Sequence, residues 1–161
     1  VSKTSVRIVR TGGTFFPSAH ILIAEGGGYM AAQGTLVVRL FTSAAQIPLQ
    51  GATVTVTKRL SNGETKLLAV RVTNFDGFTD PISIDTPPMA ESQSYQAGLV
   101  PYSVVDIRVE RMGYDRVNIE NAQVFPGTQT RQEIALIPTP ANPGAFDRTE
   151  TFVVPPQNNL L

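Results

Sequence analysis

Apolar and polar residues alternate through the middle of this chain. From Ala52 to Arg59, Val54 and Val56 fall on one face, and Thr53, Thr55 and Thr57 fall on the other. A period of two means a strand with one face in a core and one in water. Ile47-Pro48-Leu49-Gln50-Gly51 launches this strand from a turn. Leu68-Ala69-Val70-Arg71-Val72-Thr73 alternates in the same way and ends at the Asp76-Gly77 turn. The Asn-Gly step in Ser61-Asn62-Gly63-Glu64 joins the two segments, so 52–59 and 66–73 are predicted to form a hairpin.

The same reading extends to either side. Thr35 to Thr42 carries Leu36, Val38 and Leu40 on one face, with Val37 and Phe41 flanking Arg39 on the other. Tyr102 to Arg111 turns Val105, Ile107 and Val109 inward. Arg116 to Ile119 and Ala122 to Phe125 read as two short strands, and Thr130 to Ile137 closes the set with Ile134 and Leu136 inward. Phe78 to Ile84 is short and broken by Pro81, while Thr86 to Pro101 reads as a long loop. No window holds a period near 3.6, so one short helix at most is expected. About seven short strands separated by turn signals predict an all-β protein, an antiparallel β-sandwich.

Both ends depart from this pattern. Thr4 to Arg10 alternates, with Val6 and Ile8 opposite Ser5 and Arg7, and Thr11-Gly12-Gly13 turns the chain. Thr14 to Ile23 is apolar but interrupted by Pro17. Gly26, Gly27 and Gly28 follow, and three glycines in a row read as a hinge. At the other end Pro138, Pro140, Pro143, Pro155 and Pro156 argue against a regular central strand, while Phe146, Phe152, Val153, Val154 and Leu160 supply apolar anchors. The expected organisation is an N-terminal strand extension with its hinge (1–28), a sandwich domain (29–138) and an extended, Pro-rich tail (139–161). The tail is expected to lie over a surface, either of its own domain or of a neighbour.

Composition narrows the classes. The 161 residues fit one domain with appendages, and 13 basic residues balance 13 acidic ones. Zero formal charge gives no push toward nucleic acid or an anionic membrane. There is no cysteine, which removes disulfides, thiolate zinc sites and thiol catalysis, and the lone His20 supports no histidine-rich metal site. No apolar run approaches the roughly 20 residues of a membrane span. No cationic segment followed by a long apolar run opens the chain. Two routes to a surface follow: a leader removed ahead of Val1, or release by lysis of the cell that made the protein.

Three stretches carry a resemblance. Pro48-Leu49-Gln50-Gly51-Ala52-Thr53-Val54, Thr73-Asn74-Phe75-Asp76-Gly77 and Val109-Glu110-Arg111-Met112-Gly113-Tyr114 follow the strand Gly34-Thr35-Leu36-Val37-Val38. This set resembles the carboxypeptidase regulatory-like, transthyretin-like group of β-sandwiches. A narrower set is Leu68 to Thr73, Thr86-Pro87-Pro88, Gln123-Val124-Phe125-Pro126-Gly127, Arg148-Thr149-Glu150 and Pro155-Pro156-Gln157-Asn158. It is similar to the N-terminal, non-catalytic domain of clostridial spore cortex-lytic enzymes. That resemblance implies a spore-forming bacterium and a cell-wall or spore setting, with the catalytic domain of such enzymes missing.

Candidate chemistry is thin. Asp106 with Glu110, or Asp80 with Asp85, are carboxylate pairs that a glycosidase would need in one cleft, but Asp106 lies opposite the apolar set and is expected in solvent. Asp76 fits a turn better than a calcium site. The triple glycine lacks the Lys-Ser/Thr of a phosphate loop. A Lys–Asn isopeptide weld is not expected, because Arg39 stands on the first core strand and 130–137 holds no Asn or Asp. The chain is therefore expected not to be an enzyme and to need no cofactor or metal. The expected role is a self-assembling subunit of a bacterial extracellular or spore-surface filament. Val6, Ile8, Phe15, Phe16, Ile21 and Ile23 would fill a groove in a neighbouring subunit, swung on the hinge Gly26, Gly27 and Gly28, or the segment would fold back as an extra edge hairpin on its own domain. The alternative is a non-catalytic module that targets the spore cortex or its peptidoglycan beside a lytic enzyme; peptidoglycan or the spore coat would be the partner. Neither reading involves nucleic acid or a membrane span.

Overall fold

Nine strands form two facing sheets in a computed structural model that describes residues 32–43, 45–88, 100–140 and 148–157. In chain order these are β1 (Ala32–Thr42), β2 (Ile47–Pro48), β3 (Thr53–Arg59), β4 (Thr65–Val72), β5 (Ile82–Thr86), β6 (Ser103–Glu110), β7 (Arg116–Val124), β8 (Gln129–Ala135) and β9 (Thr149–Val153). No helix occurs among the described residues. The architecture is the all-β sandwich that the alternation predicts.

One sheet is built around β1. Leu36 pairs with Ile82 on one side and Thr130 on the other, and Phe41 likewise with Pro48 and Ala135. Strands β2 and β5 therefore share one flank of β1, and β8 takes the opposite flank. The sheet is three strands wide. The other sheet is five strands wide, in the order β4-β3-β6-β7-β9. Two pairings, β1 with β8 and β7 with β9, are parallel, and the rest are antiparallel.

The predicted faces are the observed ones. Leu36, Val38, Leu40, Val54, Val56 and Val109 are fully buried, and Val105, Ile107, Ile134 and Leu136 nearly so. Each such side chain contributes roughly 1.5–3 kcal/mol of transfer free energy. Strands β3 and β6 carry these residues at every second position because they are covered on one face only.

A hydrogen-bonded node explains the two motifs around Pro48 and Thr73. The Thr73 hydroxyl donates to the Leu49 carbonyl at 2.6 Å and accepts the Ala52 N–H at 3.0 Å. Backbone bonds from Gly51 N–H to the Thr73 carbonyl and from Thr73 N–H to the Ala52 carbonyl close the same knot. The Leu49 N–H reaches the Leu40 carbonyl, and the Leu40 N–H reaches Gly77. Gly77 has φ near 78°, and a Cβ there would collide with the Leu40 carbonyl. The turn at 74–77 thus docks against β1 only with glycine in that place.

Two sequence expectations are corrected. The segments 116–119 and 122–125 are one strand, β7, interrupted by a bulge: Val105 pairs with Ala122 but Ile107 pairs with Ile119. Glu120 and Asn121 thus stand opposite Asp106, and Asn121 adopts φ near 62°. The extra residue moves the inward set from Val117 and Ile119 to Ala122 and Val124, which reads in sequence as a break. Asp106 is also not a plain solvent-facing acid. Its carboxylate accepts the Asn121 N–H and an Arg59 N–H, each at 3.0 Å, and so satisfies the bulge.

The described part of the tail, 148–157, packs on the sandwich of the same chain. Five residues, β9, run parallel to β7 from the pair Arg116–Thr149 to the pair Glu120–Val153. The Val154 N–H donates to the Glu120 carbonyl at 2.9 Å, and the Gln123 amide donates to the Pro155 carbonyl at 2.7 Å. Arg148 meets Asp115 at 3.3 Å at the other end. The prolines flank the strand and leave its interior clear, so it serves as an edge.

Candidate functional site

A three-stranded sheet facing a five-stranded one leaves part of the wider sheet uncovered. On the β8 side the uncovered strand is β9. Phe152 pairs with Ile119 and so points to the inner face, yet it is 54% exposed while Ile119 is buried. Strand β8 ends beside the start of β7, where the Asp115 N–H donates to the Ile137 carbonyl and Tyr114 bridges Pro138. It therefore runs antiparallel to β7 and β9. Between β8 and β9 lies an open seam of about 350 Å³. Ile119, Ile134 and Val154 line its depth, Phe152 and Ile137 its apolar margin, and Gln132, Glu133 and Glu150 are its polar members.

The seam has the properties of an acceptor for an extended segment. Among the described residues β8 has β1 on one flank and no strand on the other, so its outer N–H and C=O groups form a ready ladder edge. A strand added there would become the missing fourth strand of the narrow sheet and would cover Phe152 and Val154. Completing the burial of Phe152 alone is worth on the order of 1 kcal/mol.

The acidic side chains singled out from sequence do not converge on a cleft. Asp106 is engaged with the bulge. Glu110 sits between Arg108 at 2.7 Å and Arg116 at 2.6 Å. The Arg108 hydrogen bond, helped by Arg116 and opposed by slight burial, holds the Glu110 carboxyl below its usual range. That ion pair forms the polar side of a recess of about 300 Å³, where the Arg111 guanidinium lies 5.5 Å from the Tyr114 ring. Asp85 accepts a Gln33 amide at 3.4 Å, and Asp80 is exposed. Asp76 belongs to the turn closed by Asn74, whose side-chain oxygen accepts the N–H groups of Asp76 and Phe78. On the narrow sheet Arg39 pairs with Glu133 at 3.2 Å and lies within 6 Å of the Phe41 and Phe78 rings, at 5.6 and 5.8 Å. Among the described residues no group of three His, Cys, Asp or Glu is placed to hold a metal ion, and no helix is long and apolar enough to cross a membrane.

The residues assigned from sequence to assembly, Val6, Ile8, Phe15, Phe16, Ile21 and Ile23, and the hinge Gly26, Gly27 and Gly28, lie outside the described residues. His20 does too. The seam itself was missed from sequence. Its one signal was the alternation of Glu150, Phe152 and Val154 inside the Pro-rich tail.

No family model and no curated protein matches this sequence. Similar solved structures are remote. Hydroxyquinol 1,2-dioxygenase from Pseudomonas putida is 10% identical, with 66% of this chain and 56% of that one covered and a TM-score of 0.43. Catechol 1,2-dioxygenase from Acinetobacter radioresistens is 11% identical, with 78% and 58% covered and a TM-score of 0.45. A minor pilin of Streptococcus agalactiae is 14% identical, with 71% and 49% covered and a TM-score of 0.42. The chain spans between about half and three fifths of the length of these three proteins. They do not support the resemblance to carboxypeptidase regulatory-like domains or to cortex-lytic enzymes; the β-sandwich stands on the strands and sheets described above. The expectation that the chain is not an enzyme is also corrected. Catechol and hydroxyquinol dioxygenases recur among the similar structures, at 10–13% identity and with partial coverage.

Proposed function

We propose that this chain is a structural subunit that polymerises into a fibre on a bacterial cell or spore surface. Each copy donates its Thr4–Arg10 segment to the seam between β8 and β9 of the next. The observation that carries the reading is the unequal width of the two sheets, which leaves β8 as an open edge beside an apolar, half-exposed Phe152. The donated segment matches that edge in kind: Val6 and Ile8 supply an apolar face at the spacing of two that a groove between sheets requires. Phe15, Phe16, Ile21 and Ile23 extend the apolar contact, and Gly26, Gly27 and Gly28 let the segment swing away from its own domain. A head-to-tail contact of this kind does not close on itself, and it propagates as a filament.

The test is electron microscopy of the purified chain beside a variant lacking residues 1–25. The full chain is expected to form fibres and the shortened chain to stay a folded monomer. Fibres formed equally well without those residues would refute strand donation.

A further inference from the structure

The five-stranded sheet has two outer strands, β4 and β9, and their residues fit each other. Leu67, Val70 and Val72 on β4 are 58%, 46% and 61% exposed, and Phe152 and Val153 on β9 are 54% and 60% exposed. Among the described residues, 11 large hydrophobic side chains are exposed and 5 of them lie on these two strands. That concentration marks the sheet's two ends as unfinished surfaces.

Strand direction and side-chain parity agree. Strand β4 is antiparallel to β3, β3 to β6 and β6 to β7, while β7 is parallel to β9. It follows that β4 and β9 run in opposite directions. A second copy set beside the first by translation across the sheet brings its β4 against β9 as an antiparallel pair. Ala69 and Arg71 share the inner face with Val56 and Val54, and Val70 and Val72 share the outer face with Thr55 and Thr53. On β9, Glu150 and Phe152 are inner and Thr151 and Val153 outer, by their pairing with Val117, Ile119, Asn118 and Glu120. Placing Arg71 opposite Glu150 sets Val70 opposite Thr151 and small Ala69 opposite large Phe152. These three pairs join like faces, and Leu68, the bulge residue that packs on the core, falls opposite Val153.

Charge selects this pairing over its rivals. Strand β4 carries Lys66 and Arg71 and no acid, and β9 carries Glu150 and no base. None of the ion pairs among the described residues uses Arg71 or Glu150. Among the described residues the Arg71 guanidinium donates to the neighbouring Val70 carbonyl, at 2.9 Å. Two β4 strands brought together would oppose like charges. The bulge in β4 and its inward arginine are devices that discourage indiscriminate edge pairing, and an acid at the matching inner position answers them.

We infer that β4 of one subunit pairs with β9 of the next, antiparallel and with Arg71 opposite Glu150, so that the five-stranded sheets run on continuously through the polymer. This rests on the self-assembly proposed above. One short strand pair falls below the roughly 1,000 Å² that a stable interface buries, so it forms where donated strands already hold the copies close. Strand donation tethers the subunits, and the edge pairing fixes their orientation.

The absence of native cysteine makes the test direct. Opposed residues in an antiparallel pair sit about 4.5–5.5 Å apart between Cα atoms, within disulfide reach. Val70→Cys and Thr151→Cys are made in separate full-length chains, which are mixed, assembled and oxidised. Disulfides between the two variants should exceed those within either variant alone by about tenfold, as a specific heterologous contact requires. Adding Arg71→Glu to the first variant should abolish the excess, and Glu150→Arg in the second should restore it. Fibres that form without the mixed disulfide, or in which Val70→Cys links to itself as readily, would overturn the edge pairing and leave strand donation standing. A chain that forms no fibres at all would remove both.

Discussion

Replacing Thr73 by Val tests the node that joins the two motifs of the core. The substitution keeps the shape of the side chain and removes its hydroxyl. In the folded protein that hydroxyl is buried, donates to the Leu49 carbonyl at 2.6 Å and accepts the Ala52 N–H at 3.0 Å. Two backbone groups would be left without this partner. Each unsatisfied buried group costs about 1–3 kcal/mol, and the two share one site, so the expected loss is about 2–5 kcal/mol. For a chain of this size that lowers the melting temperature by on the order of 10 °C. Urea unfolding should show a lower midpoint with an unchanged slope, the mark of a native-state effect. Thr73→Ser keeps both hydrogen bonds and loses one methyl, so it should cost only about 1 kcal/mol. A Thr73→Val protein within about 0.5 kcal/mol of the parent, as an ordinary surface change would be, refutes the claim that this hydroxyl holds the node.

Three further outcomes are expected. Gly77→Ala should destabilise by well over about 1 kcal/mol, while Gly63→Ala should cost only about that much. Both glycines have positive φ, but a Cβ at position 77 meets the Leu40 carbonyl and one at position 63 meets open space; equal melting temperatures would contradict this. Glu110→Gln should cost less than about 1 kcal/mol at neutral pH, because the ion pair is exposed. The Glu110 carboxyl is held below its usual range, so its contribution is present above the unfolded-state pKa and fades as pH falls through the depressed folded value. A gap between parent and variant that widens on acidification would contradict the sign. Phe152→Ser should leave the isolated domain folded and raise the protein concentration needed for assembly by about tenfold, from roughly 1.4 kcal/mol of lost apolar contact. Light scattering against concentration reads it, and an unchanged threshold would remove Phe152 from the interface.

Faces were easier to read than partners. The alternation of Val54 with Val56, and of Val105 with Ile107 and Val109, identified the buried side of β3 and β6, because side-chain direction in a strand is a local property. Which strands pair is not local. Nothing in the residues of β8 shows that it lies parallel to β1, with Leu36 beside Thr130. The bulge at Asn121 shifted the period by one residue and made β7 read as two strands. Proline density hid β9, although Pro143 and Pro155 both lie outside Thr149–Val153. The seam depends on both features at once, since it exists only because β9 widens one sheet beyond the reach of β8. The complementary edges were hidden for the same reason. Arg71 and Glu150 are 79 positions apart and gain a relation only when two copies stand side by side.

The central claim is that subunits join through a donated N-terminal strand, and the most direct measurement is negative-stain electron microscopy of the full chain against the chain lacking residues 1–25. Fibres from the first and folded, isolated particles of the second at the same concentration are the predicted result. Isolated particles from both at every concentration, or fibres from both, would contradict it.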